Sequence, residues 1–254
     1  MPTIRLINRS IVHTTSLQSR ECVAVNNATF EVRSGEILAV AGVQGNGQTE
    51  LVEALTGLRL VDSGTVVLEK KPLHAGSPRE IAMAGVAHIP EDRNRDGMVK
   101  GMTIAENYIL NTYHLPQYSK NGLLNRKAIA AATEQAVKDF DIRTPSISTD
   151  IASLSGGNQQ KVIVAREFSR NVRLVIAAQP TRGLDVGSIE YIHRRIVEQR
   201  DAGAAVLIVS TELDEVLALG DRVAVMYEGR IVGILDAKEA TRERVGLLMG
   251  GITK

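Results

Sequence analysis

Leu154-Ser155-Gly156-Gly157-Asn158-Gln159-Gln160-Lys161 opens a helical pattern that runs to Ser169. Ser155 is a natural N-cap, because its hydroxyl accepts a hydrogen bond from a first-turn backbone N–H. The two glycines that follow each cost a helix on the order of 1 kcal/mol relative to Ala. A purely structural helix start has no use for both. Their use is to bare backbone N–H groups at the positive end of the helix, so that a phosphate can approach closely.

A second phosphate-shaped segment lies upstream. Glu36-Ile37-Leu38-Ala39-Val40-Ala41 is a short apolar run suited to a buried strand. Gly42-Val43-Gln44-Gly45-Asn46-Gly47-Gln48-Thr49-Glu50 follows, and then an amphipathic pattern from Thr49 to Leu58 with Leu51, Val52, Leu55 and Leu58 on one side. The glycines stand where a loop must curl its N–H groups inward around anionic oxygens. Thr49 is placed to offer a hydroxyl to Mg²⁺. The lysine that normally follows the last glycine is Gln48, which can donate a hydrogen bond but carries no charge. Charge-assisted bonds are roughly twice as strong as neutral ones, so nucleotide affinity is expected to be weak. Glu50 occupies the third glycine's place in a dinucleotide fingerprint, which fits that reading poorly. A plain glycine-rich turn remains open on this segment alone.

Outward from these segments, short strands alternate with helices. Expected strands are Cys22 to Val25, Ala28 to Val32, Thr65 to Leu68, Leu174 to Ala177, Val206 to Val209 and Arg222 to Tyr227. Expected helices are Ile104 to Leu110, Ala128 to Phe140, Ser188 to Arg200 and Glu212 to Leu219. Alternation of this kind implies parallel pairing with right-handed crossovers. Three parts are expected: residues 1–96 as the first part of a core with the phosphate loop, 97–168 as an inserted helical subdomain, and 169–254 as the second part of the core.

These residues resemble the nucleotide-binding domain of ABC transporters over nearly the whole chain. Gly42 to Thr49 resembles the Walker A loop. Leu154 to Lys161 resembles the signature motif, with Asn158 where that family usually has Gln. Pro180-Thr181-Arg182-Gly183-Leu184-Asp185 resembles the segment from the end of Walker B through the D-loop. More narrowly, Ile89-Pro90-Glu91-Asp92-Arg93, Gly45 to Thr49 and Ala178 to Asp185 resemble the C-terminal half of fused importers for ribose- and galactose-type sugars or nucleosides. The Ala-Gln-Pro wording leans toward the nucleoside branch. The resemblance implies an α/β fold: an ABC-type P-loop core, its sheet mainly parallel, with an N-terminal antiparallel β part and the helical insertion. It implies ATP and Mg²⁺ as ligands, a second nucleotide-binding domain, membrane permease subunits and, indirectly, a solute-binding protein as partners. It also implies a peripheral place on the cytoplasmic face of the inner membrane.

The family ends the strand before Pro180 in Asp, which helps hold Mg²⁺, and then Glu, which polarises the attacking water. Here these are Ala178, which supplies no oxygen, and Gln179, which cannot take a proton at neutral pH. The family's switch His is Thr211, which does not titrate near pH 7, and its Gln before the helical subdomain is Glu91. Leu17 to Val23, where an adenine-stacking aromatic is expected, contains none. With Gln48, five changes thus fall on one site (Gln48, Glu91, Ala178, Gln179 and Thr211), which is expected to hydrolyse ATP poorly. Ser155, Gly156 and Gly157 escape these changes. They could complete a competent site on a partner domain, with Asp185 communicating across the same interface. The alternatives are a competent homodimeric ATPase and a non-transport family member acting on ribosomes or DNA.

The whole composition limits other classes. Thirty Lys and Arg balance 29 Asp and Glu, and aromatics make up 3% with no Trp, which argues against a nucleic-acid partner. One cysteine, Cys22, cannot form an internal disulfide, which fits a reducing compartment. No apolar run approaches the ~20 residues that a membrane span needs. The five histidines show no metal-ligand spacing.

Overall fold

The computed structural model describes the backbone of residues 3–14, 21–73 and 76–252, and side chains from residue 23 onward within these. In chain order the strands and α-helices are β1 (Thr3–Thr14), β2 (Glu21–Asn26), β3 (Thr29–Arg33), β4 (Ile37–Ala41), α1 (Gln48–Leu55), β5 (Ser63–Leu68), β6 (Lys71–Pro72), α2 (Pro78–Met83), β7 (Val86–Ile89), α3 (Ile104–Tyr108), β8 (Ser119–Lys120), β9 (Leu123–Leu124), α4 (Arg126–Asp139), α5 (Gly156–Phe168), β10 (Leu174–Ala178), α6 (Val186–Asp201), β11 (Ala205–Ser210), α7 (Leu213–Leu219), β12 (Arg222–Tyr227), β13 (Arg230–Asp236) and α8 (Arg242–Met249). None of the described helices is long and apolar enough to cross a membrane.

Two compact units divide the chain. The first comprises Met1–His88, Val172–Pro180 and Ile196–Lys254; the second comprises Ile89–Asn171 and Thr181–Arg195. In the first unit lies a six-stranded sheet of order β13-β12-β4-β11-β10-β7, whose far edge ends in the boundary residue Ile89. Strands β12, β4, β11 and β10 run parallel, and β13 closes one edge antiparallel to β12. The non-consecutive order requires helical crossovers, which makes this a doubly covered α/β layer. Accordingly every residue of β4, β10 and β11 is buried. Antiparallel pairing joins β1 to β2, β3 and β5, with β6 beyond β5, in a second sheet. Leu38, Val40, Leu51, Leu55, Ile176, Leu207 and Met226 meet Val25, Phe30, Val32, Val66 and Leu68 in one core. The expected mixture of a mainly parallel sheet and an N-terminal antiparallel part is what the chain forms.

Helix α1 is shorter than its apolar pattern. Thr56 turns its hydroxyl back on the Val52 carbonyl at 2.8 Å, and Gly57 turns left-handed at φ 75°. The helix ends at Leu55, and Leu58, expected on the buried side, is 59% exposed. Elements β1, β6, α2, β7, β8, β9, β13 and α8 go beyond those that the sequence pattern predicts. The start of α2 is nonetheless written locally: Ser77 accepts from the Glu80 N–H, the Glu80 carboxylate accepts from the Ser77 N–H at 2.7 Å, and Pro78 stands at the first position.

In the second unit, α3, α4 and α5 pack on one another, and Lys161 of α5 lies over the Tyr191 ring of α6. Thr103 and Glu106 form a capping box on α3, and Asn125 caps α4. A five-residue π-helix, Arg93–Gly97, follows Asp92, whose carboxylate accepts from the N–H groups of Asn94 and Arg95. These two bonds hold the Asp92 carboxyl below its ordinary range.

Candidate functional site

Parallel strands β4, β11 and β10 are neighbours in register, Ala41 beside Ser210 and Val209 beside Ala178. Their carboxyl ends therefore share one sheet edge, the place where open α/β sheets bind ligands. From that edge emerge the loop 42–47, Thr211 and Gln179, all of them in the first unit.

Glycine conformation shapes the loop. Gly45 and Gly47 have φ of 90° and 98°, and Gly47 caps α1 in the left-handed region. A Cβ on Gly47 would collide with the Ala24 carbonyl of β2. Asn46 is tied to the β12–β13 turn: its side-chain oxygen accepts from the Glu228 N–H at 2.9 Å, and its carbonyl from the Gly229 N–H at 3.0 Å. Thr49 is exposed at the head of α1, and Glu50 is half-buried beside it. Gln48 is 8% exposed and its side-chain amide donates to the Val43 carbonyl at 3.1 Å. Gly42 makes room for that amide, since a Cβ there would overlap it. The residue at the lysine position thus bonds its own loop.

At the end of β10, Ala178 is buried and its methyl side chain offers no oxygen. Gln179 stands left-handed at φ 46°, an uncommon state for a residue with a side chain, and worth about 1–3 kcal/mol of strain. Its N–H donates to the Val209 carbonyl at 2.8 Å, and its side-chain amide donates to the Thr211 hydroxyl at 3.0 Å. The positions expected for the base and the switch are therefore bonded to each other. A set holding Thr49 but no acid at 178 or 179 suits loop-bound phosphate oxygens and does not suit a tightly held Mg²⁺.

The helix tip lies in the second unit. Ser155 caps α5, its hydroxyl accepting from the Asn158 N–H at 3.4 Å and the Asn158 side-chain amide at 3.0 Å. Gly157 is required by its neighbours, because a Cβ would overlap the Ser188 hydroxyl. Asp185 accepts from that hydroxyl at 2.8 Å and from the Ser188 N–H at 2.9 Å, which caps α6. The hydroxyl first, and then the N–H, hold the Asp185 carboxyl below its ordinary range. In the same unit Glu91 accepts from Arg182 at 3.1 Å. No local signal in the sequence announces the pairings of Arg93 and Arg182, 89 and 91 positions from their partners. Residues 17–20, the start of the stretch expected to supply an adenine-stacking aromatic, lie outside the described residues, as does the Cys22 side chain.

Comparison with known proteins agrees with this geometry. The family model described as ABC transporter matches residues 25–182. The chain is 50% identical to a nucleoside import ATP-binding protein, NupA of Lactococcus lactis subsp. cremoris, over 92% of this chain and 46% of that protein. It is 47% identical to the guanosine import ATP-binding protein NupO of Bacillus subtilis, over 93% and 46%. The chain thus spans about half the length of the curated relatives it matches. Among solved structures, the ATP-binding cassette MJ1267 superposes with TM-score 0.77 at 23% identity, covering 100% of this chain and 99% of that one. The cassette MJ0796, bound to ADP and Pi, gives 0.77 at 18% over 92% and 98%. With the glycine loop and the Ser-capped helix in place, and with the family model spanning both of them over more than half of the chain, the chain belongs to the ABC transporter family as one of its ATP-binding domains.

Proposed function

We propose that this chain is one ATP-binding half of an importer, with nucleosides as its first candidate cargo and sugars as its second. The two relatives described above, at 50% and 47% identity, carry nucleoside and guanosine import in their names, while two others at 40% carry sugar import. Residues 97–168 serve as the helical subdomain that meets the permease, between core parts 1–96 and 169–254. The chain acts as the C-terminal half, peripheral on the inner face of the membrane, beside a second nucleotide-binding domain, permease subunits and a solute-binding protein.

In this reading the chain's own pocket, built from Gly42, Gly45, Asn46, Gly47, Gln48, Thr49 and Glu50, cradles phosphate but hydrolyses poorly. Hydrolysis needs a group that takes a proton from the attacking water. Gln179 cannot take one, and its amide is engaged by Thr211. Glu91, the one carboxylate added by the changes, is engaged by Arg182. Mg²⁺ brings charge neutralisation to a triphosphate; here Thr49 is its sole expected ligand. The tip of α5 keeps its Ser155 cap and the glycines Gly156 and Gly157, whose N–H groups would stabilise charge on a nucleotide held by the partner domain. The observation that carries the reading is the Gln179–Thr211 pair beside residue 178, whose side chain has no oxygen.

The test is Ser155→Arg with Gly157→Asp in the complete transporter. Loss of ATP hydrolysis is expected, although neither residue lies in the chain's own pocket. Unchanged hydrolysis refutes the service in trans.

A further inference from the structure

Gly156, the first residue of α5, has no side chain, and the space before it is filled by Arg93. A Cβ on Gly156 would stand 2.7 Å from Arg93 Nη2 and 3.4 Å from Cζ. The same guanidinium donates from Nη1 to the Arg182 carbonyl at 2.8 Å. It also lies 3.9 Å from where a Cβ on Gly183 would be. Arg182 in turn holds Glu91. All of these residues belong to the second unit.

One flat side chain thus joins three segments that are far apart in sequence: the Glu91 loop, the Arg182-to-Asp185 segment and the tip of α5. The joint depends on shape as much as on charge. A guanidinium is planar and carries five donors, so it can lie on a glycine face and still bond a carbonyl edge-on; a lysine ammonium can do only the second. Arg93 Nε is sealed from solvent with no acceptor, which marks a side chain held for its place rather than for full bonding. Ser188 braces the other glycine, Gly157, from the opposite segment of the same unit.

We propose that Arg93 is a positioning residue for ATP hydrolysis at the partner's site. It sets the angle at which Ser155, Gly156 and Gly157 meet the nucleotide and ties that angle to the Glu91 loop. This inference rests on the service in trans proposed above.

The experiment is steady-state ATP hydrolysis by the complete transporter, with unfolding midpoints measured alongside. Arg93→Ala is expected to lower kcat about tenfold or more, with the KM for ATP changed far less, because misplacing a preformed site by a fraction of an ångström acts on the transition state. Arg93→Lys should recover part of the loss. Gly156→Ala leaves Arg93 in the chain but pushes its guanidinium aside, and should repeat the loss. A kcat within about twofold of the parent for Arg93→Ala, while Ser155→Arg with Gly157→Asp abolishes hydrolysis, overturns the inference and leaves the service in trans standing. A loss that follows the unfolding midpoint and is not recovered by lysine also overturns it. If Ser155→Arg with Gly157→Asp leaves hydrolysis intact, both readings fall.

Discussion

The Gln179 side-chain amide donates to the Thr211 hydroxyl at 3.0 Å, and the Thr211 N–H returns a bond to the Gln179 oxygen at 3.4 Å. Residues 32 positions apart, at the ends of adjacent parallel strands, thus satisfy each other. Neither holds a titratable group, so the pair offers an attacking water no base. Purified chain should therefore release phosphate from ATP at background rate across neutral pH. Turnover like that of an intact family ATPase, lowered by Gln179→Ala, contradicts this.

Gln48 bonds the Val43 carbonyl of its own loop and brings no charge to a phosphate. Calorimetric titration of the chain with ATP should give a dissociation constant weaker than ~100 µM. Gln48→Lys should tighten it by about tenfold, the difference between a neutral and a charge-assisted bond. Submicromolar binding by the parent would count against the assigned role of Gln48.

Two loop glycines separate strain from space. Gly45 has φ 90° with open space around it, so Gly45→Ala should cost only about 1–2 kcal/mol of left-handed strain. Gly47 has φ 98° and also faces the Ala24 carbonyl, a backbone atom that cannot step aside. Gly47→Ala should cost about 3 kcal/mol or more. Urea unfolding of the two variants checks the order; equal losses would mean that the β2 contact does not constrain the loop.

Acid should act through Asp141. Lys161 donates to its carboxylate at 2.8 Å and to its carbonyl at 2.7 Å. The hydrogen bond from Lys161, and then its charge, lower the Asp141 pKa below 3.8. A lowered carboxylate contributes stability that is present above the unfolded value and is lost as pH falls through the folded one. The stability gap between the parent and Lys161→Met should thus be widest well above pH 3.8 and shrink below it. A gap that does not change with pH would show that the carbonyl bond and the stacking of Lys161 on Tyr191, 4.5 Å from the ring centroid, account for all of it.

Strands and helices with a clear period are legible in the amino-acid sequence. Arg222 to Tyr227 matches β12 at both ends, because a continuous apolar run bounded by Asp221 and Glu228-Gly229 has one reading. β1 is not legible in this way, since its residues pair with three strands as distant as β5, where Ile4 faces Leu68. Nor is α8, because, of its residues, only Val245 is buried. In the candidate site, the residue types at 48, 91, 178, 179 and 211 are readable, and so is the missing charge. Their partners are not. Arg182 lies 91 positions from Glu91, and nothing near either residue announces the pair.

The amino-acid order alone settled which groups exist at the sheet edge and the helix tip: glycines in the loop, a hydroxyl cap, and no acid at 178 or 179 where β10 ends. Those are properties of single residues and short windows. Tertiary structure decided whom those groups bond, because side-chain partners are chosen by strand order and crossover. Gln179 meets Thr211 only because β10 lies beside β11, and Arg93 meets Gly156 only because the second unit brings three separate segments together.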